Sequence, residues 1–194
     1  MYILNVEKRN ESVKAKKLRK LGLIPVSMYG GDLTETLLMQ TSLINARKLL
    51  KSKSKGGRVQ LDFEGNTISA LLKEISYHAV SGEVETLDFQ KLLEDEVVNS
   101  SARIVIVNRD KTQLMVQQLL DEIPYRGLPS DLVETIEIDI ETIKEGHNVK
   151  VEDLPFAKNE RIEILMPMDA LVLSMAENNF QEEEAPVAAE AEEN

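Results

Sequence analysis

Residues 58–75 carry the pattern that most limits what this chain can become. Arg58 to Phe63 alternates polar and apolar residues, Glu64-Gly65-Asn66 offers a turn, and Thr67 to Ile75 runs back. A period of two broken by a glycine turn is a β-hairpin signature. Similar short runs surround it. Residues 2–7 alternate, with Tyr2, Leu4 and Val6 on one face; Ile24 to Tyr29 and Thr34 to Met39 are strand candidates; Glu83 to Phe89 follows a turn at Ala79-Val80-Ser81-Gly82. Two short helices interrupt them. Ser12 is placed to cap one from Val13 to Leu21, with Leu18 and Leu21 on one face and Gly22 as the residue that ends it. Thr41 or Ser42 caps the other, whose apolar stripe is Leu43, Ala46, Leu49 and Leu50. Strands paired in this way with two helices predict a small α+β unit or a partly closed barrel ending near Lys91.

Composition shifts at Leu92-Leu93-Glu94-Asp95-Glu96. Beyond it the expected strands are Ala102 to Val107, Glu134 to Ile140, Asn148 to Val151, Arg161 to Met166 and Ala170 to Met175, with Pro124, Pro129, Pro155 and Pro167 punctuating loops. The fold class expected is mainly β with a few short helices. Its parts are an N-terminal unit over 1–91, a C-terminal antiparallel β domain over 92–177, and a Glu- and Ala-rich tail over 178–194. That tail has too little apolar surface to offset its ordering entropy and is expected to be disordered.

The chain of 194 residues has no Cys, which excludes disulfides, thiolate metal sites and Cys nucleophiles. Its two His, His78 and His147, are far apart and sit in no motif, so no multi-His metal centre or Ser–His–acid triad forms from them. Ser54-Lys55-Gly56-Gly57-Arg58 lacks phosphate-loop spacing and precedes a strand rather than a helix. No enzyme activity, cofactor, metal or small-molecule substrate is expected. Neither a secretory signal nor a membrane-length apolar run is visible, so the expectation is a cytoplasmic protein with no membrane partner.

The net charge of −11 conceals a division. Residues 1–60 hold thirteen Lys and Arg against four acids, a net +9, whereas residues 61–194 hold ten against thirty, a net −20. The bases cluster in 8–20 and in 47–58, including a loop from Ser52 to Gly57 read as flexible. A basic helix beside strands is the electrostatic footprint of a phosphate-binding surface. On it Lys16, Lys17 and Lys20 supply counterion release, Arg19 reaches phosphates or base edges, and Tyr29 is placed to stack or hydrogen-bond at an RNA minor groove. The plainer alternative is a solvated helix face with Tyr29 in the core.

Residue order goes further than residue count. Leu18-Arg19-x-x-Gly22-x-x-Pro25-x-x-x-Tyr29-Gly30, followed by Thr86-Leu87-Asp88-Phe89, resembles the signature of a bacterial ribosomal protein family, large-subunit ribosomal protein twenty-five. The long form of that family is called general stress protein Ctc. Leu119-Leu120-Asp121-Glu122-Ile123, Leu128-Pro129-Ser130-Asp131-Leu132, Ile136 to Ile140, Gly146 and Val151-Glu152-Asp153-Leu154-Pro155 follow the order of the long form, as does the acidic tail. The resemblance implies a β-barrel-like N-terminal domain that binds 5S rRNA within the large ribosomal subunit. It implies RNA contacts from Arg9, Arg19, Tyr29 and Asp88, the last accepting hydrogen bonds from base amino groups or 2′-hydroxyls. Two departures stand out. The family's His in its His-x-Asp-Phe strand is Thr86 here, which donates one hydrogen bond but carries no imidazole charge. Asn108 to Thr112 replaces the family's Gly-rich loop. The competing expectation is a stress-related protein-interaction module with weakened RNA binding.

Overall fold

The computed structural model describes residues 2–112, 115–143 and 148–176. The expected tail over 178–194, His147 and Gly146 lie outside these residues.

The N-terminal half closes into a six-stranded barrel. In chain order its elements are β1 (Ile3–Lys8), α1 (Ala15–Lys20), β2 (Leu23–Tyr29), β3 (Leu37–Ser42), α2 (Leu43–Ser52), β4 (Arg58–Phe63), β5 (Asn66–Tyr77) and β6 (Val84–Lys91). Around the barrel the order is β1-β3-β2-β6-β5-β4. The hairpin β4–β5 forms as its alternation requires, Leu61 opposite Ile68 and Phe63 opposite Asn66. Two parallel pairings close the ring, β1 with β4 and β2 with β6. Inward residues fill it: Leu4, Val6, Ile24, Val26, Met28, Met39, Leu61, Leu72, Leu87 and Phe89 are buried, and Ala46 and Leu49 of α2 plug one side. A closed barrel leaves no unpaired edge, so strands this short remain stable.

Several local details depart from expectation. The first helix is shorter than the pattern suggested and begins after Lys14 with no side-chain cap. Asn10 takes the Ser12 hydroxyl and amide instead, an Asx turn that competes with capping. Leu21 falls at the helix end and is exposed, leaving Leu18 as the buried anchor. Gly22 does end the helix, at φ +76° with its amide on the Arg19 carbonyl. Ser42 caps α2 through the Asn45 amide, while Thr41 stays in β3 with its hydroxyl on the Asn5 carbonyl.

The second half contains β7 (Val98–Val107), β8 (Met115–Gln118), β9 (Glu122–Gly127), β10 (Thr135–Asp139), β11 (Val149–Lys150), β12 (Ile162–Ile164) and β13 (Leu171–Ala176). They form a four-stranded sheet, β10-β7-β9-β12, and a three-stranded one, β11-β13-β8. Pairing is antiparallel except between β10 and β7, which run parallel. Between the sheets lies a core in which Tyr125 meets Phe156 edge-on at 5.1 Å. The Tyr125 hydroxyl donates to the Val133 carbonyl and accepts its amide. Pro124, expected in a loop, sits inside β9 opposite Ser101.

The loop after α2, expected to be flexible, is held against the second half. Gly56 has φ +82°, and a Cβ there would lie 2.0 Å from the Ser101 carbonyl oxygen. Gly22 shares the left-handed conformation but has open space around it. Gly22→Ala is therefore expected to cost about 1–2 kcal/mol, the ordinary price of a Cβ in this region. Gly56→Ala is expected to cost about 3–5 kcal/mol, because steric overlap with backbone is added. Equilibrium urea unfolding checks the pair; equal losses would show that the loop is not pinned.

Candidate nucleic-acid interface

The outer face of the barrel follows from the packing of its inside. On β2, Val26 and Met28 point inward, so Ser27 and Tyr29 point outward; on β6, Leu87 and Phe89 point inward, so Thr86, Asp88 and Gln90 share the outer face. The parallel register sets Ser27 beside Asp88 and Tyr29 beside Gln90. On its other side β6 places Asp88 against Glu74 and Thr86 against Ser76. The Ser27 hydroxyl donates to Asp88 Oδ1, and no donor among the described residues bonds Asp88 Oδ2.

Tyr29 is partly exposed, not a core residue. Burial of part of its ring raises its phenol pKa above the ordinary value, and the charges of Asp88 and Glu74 raise it further. The hydroxyl therefore stays protonated at neutral pH, as a donor beside two carboxylates.

Helix α1 lies alongside β2 and delivers the bases. Arg19 reaches across to Glu85 at 3.5 Å, one residue before Thr86. Lys16, Lys17 and Lys20 are exposed and make no ion pair with described residues. Between α1 and the turn at 78–85 runs a groove of about 580 Å3, with Lys16, Arg19 and Lys20 on one wall and His78, Glu83 and Glu85 on the other. His78 accepts the amides of Val80 and Ser81 through Nδ1, a turn-stabilising role. Arg9 stands at the far side of the face, beyond β3, with its amide on the Leu38 carbonyl. Its Nε is buried and without a hydrogen-bond partner.

The structure thus gathers Tyr29, Thr86 and Asp88 on adjacent strands, with Arg19 linked to them through Glu85 and the three lysines along α1. Arg9 is on the same side of the barrel but two strands away. Ser27, Glu74, Glu85 and Gln90 join this face although no motif in the sequence singles them out. The alternation around Tyr29 and Asp88 is the signal that could have marked Ser27 and Gln90 as residues of this face. Glu74 and Glu85 were visible only once β5, β6 and α1 were placed. The second basic cluster, 47–58, does not join this face as a set. Arg47 pairs with Glu83 at 2.7 Å, Lys53 with Glu134 at 2.6 Å and Lys55 with Glu122 at 2.7 Å. Among the described residues no group of His, Asp or Glu could hold a metal ion, and no helix is long and apolar enough to cross a membrane.

Comparison with known proteins places both halves. Residues 4–89 match the model of the Ribosomal L25p family, and residues 97–179 match that of the Ribosomal protein TL5 C-terminal domain. The large ribosomal subunit protein bL25 of Caldicellulosiruptor saccharolyticus is 30% identical over 93% of this chain and 90% of its own length. Its namesakes in Clostridium tetani and Carboxydothermus hydrogenoformans are each 28% identical, covering 94% and 97% of this chain and 96% and 98% of their own.

The two carboxylates beside Tyr29 make a testable mark. Asp88→Asn is expected to lower the Tyr29 phenol pKa toward the ordinary tyrosine value, since removing an anion favours tyrosinate. An NMR titration of the Tyr29 ring resonances reads this directly. An unchanged titration would show that the two side chains do not share one electrostatic environment.

Proposed function

The chain belongs to the Ribosomal L25p family, and from that premise we propose that it is a non-enzymatic protein of the large ribosomal subunit that binds 5S rRNA through the outer face of its barrel. Its place would be on cytoplasmic ribosomes. The observation that carries this reading is the juxtaposition, across β2 and β6, of Tyr29 with Asp88 on a face flanked by the bases of α1.

Each group has work suited to RNA. Lys16, Lys17 and Lys20 meet phosphates and release counterions without reading sequence. Arg19, held half-exposed by Glu85, offers a planar fork to a phosphate or a guanine edge. Tyr29 presents a ring for stacking and a hydroxyl for a 2′-oxygen. Asp88, with Oδ1 occupied by Ser27 and Oδ2 open, accepts from a base amino group or a 2′-hydroxyl. A carboxylate at a polyanion surface is unfavourable unless such a donor meets it, so Asp88 selects for sites that supply one. Thr86, outward on the same strand, donates where an imidazole stands in the family pattern. Arg9 extends the basic face beyond β3.

Filter binding of the full chain to 5S rRNA across a salt series tests this. Binding should weaken steeply as salt rises. Arg19→Ala should weaken it and make the logarithmic salt slope shallower by about 0.7–0.9. Asp88→Ala should weaken it by about 1–3 kcal/mol with little change of slope, because it removes a hydrogen bond rather than a phosphate contact. Salt-independent binding, or one slope for all three proteins, would sink the assignment. Thr86→His should raise affinity if that position touches RNA, and leave it unchanged if not.

A further inference from the structure

The loop after α2 is anchored at four points on the second half. Glu134 takes two donors from it, Lys53 Nζ at 2.6 Å and the Ser54 amide at 2.8 Å. Glu122 takes Lys55 Nζ at 2.7 Å. The Ser100 hydroxyl donates to the Gly56 carbonyl at 3.4 Å, and Gly57 lies so close to Glu134 that a Cβ would stand 2.8 Å from Oε1. Nearby, Lys73 Nζ donates to the Asn99 carbonyl, and Leu71 and Leu92 of the barrel half pack with Val98 and the half-buried Leu132. Backbone approach, apolar packing and ion pairs all converge on one seam, which makes this a built interface rather than a chance meeting of surface charges.

The seam has an electrostatic consequence. Lys53 and Lys55 belong to the +9 segment, yet each has a carboxylate in contact, and Asp121 adds a third acid to the same groove against one further base, Arg103. Lys53 retains 24% exposure. We propose that the acidic edge formed by Glu122 and Glu134 is an intramolecular cap that withholds Lys53 and Lys55 from nucleic-acid phosphates, confining the chain's attraction for RNA to the α1 face. A phosphate approaching this loop meets cations already paired to carboxylates, three bases (Lys53, Lys55 and Arg103) balanced by three acids (Glu122, Glu134 and Asp121), so non-specific attachment along the barrel flank is suppressed. At α1, by contrast, Lys16, Lys17 and Lys20 make no ion pair among the described residues, and the Arg19–Glu85 contact is a longer 3.5 Å. The proposal rests on the RNA-binding reading only for which RNA benefits; the capping itself concerns any polyanion.

The experiment uses the full chain and two probes, 5S rRNA and an unrelated RNA duplex, in filter binding over a sodium chloride series. Lys53→Ala with Lys55→Ala, in the otherwise native chain, should leave the salt slope for the duplex unchanged, since capped lysines release no counterions. Glu122→Gln with Glu134→Gln should steepen that slope by about 1.5, two freed cations at ~0.7–0.9 each. Adding the two lysine substitutions to the glutamine variant should remove the gain. A drop of similar size from the lysine substitutions alone would overturn the cap, because the lysines would already be on phosphate. That arm uses only loop side chains, so it stays informative even if the glutamine variant folds poorly. If the duplex behaves as stated but 5S rRNA is bound no better than the duplex, the cap stands and the assignment of 5S rRNA falls.

Discussion

The parallel pairing of β2 with β6 is the constraint from which the rest of the site follows. Ser27 and Asp88 are 61 residues apart in sequence and share a hydrogen bond in the fold. Parallel neighbours cannot be joined by a tight turn, so the chain between them must travel, and here it builds β3, α2, β4 and β5 and closes the barrel. Inside, Val26, Met28, Leu87 and Phe89 interlock in the core. A slip of one residue would turn these into the solvent and bury Ser27, Tyr29 and Asp88. The barrel's packing thus fixes which polar groups face outward together.

That logic also explains what was readable from sequence. The hairpin 58–75, the alternation of β1 and β10, the glycine ending α1 and the stripe of α2 are local patterns, and each formed. Two elements were hidden. Pro124 reads as a loop breaker, yet β9 accommodates it; β8 is a four-residue strand with polar Gln117 and Gln118, too short for a period to show. The loop at 52–57 looked flexible because Ser, Lys and Gly are residues of mobile segments. Its contacts are with Glu134 and Ser101, far away in sequence and unreadable from the loop itself. Of the candidate site, Arg19, Tyr29 and Asp88 are singled out by the family-like motifs, while their neighbours Ser27, Glu74 and Glu85 emerge only from the sheet order.

Charge undergoes a similar refinement. A net −11 became +9 and −20 once divided by position, and the structure divides the +9 again. Arg47, Lys53 and Lys55 are spent on acids of the fold, whereas Lys16, Lys17 and Lys20 stand exposed on one helix. Surface ion pairs of this kind contribute little to stability. Their larger effect is on the field, since they decide which bases remain to attract a polyanion.

The central claim is that RNA meets the β2–β6 face and α1, and it is tested most directly by titrating unlabelled 5S rRNA into the 15N-labelled full chain and mapping amide shifts. The account predicts that the largest changes fall at residues 16–20, 27–29 and 86–90, with those of 53–57 and 98–176 nearly still. Changes concentrated on the second half, or in the 53–57 loop, with the β2–β6 amides unmoved would contradict it.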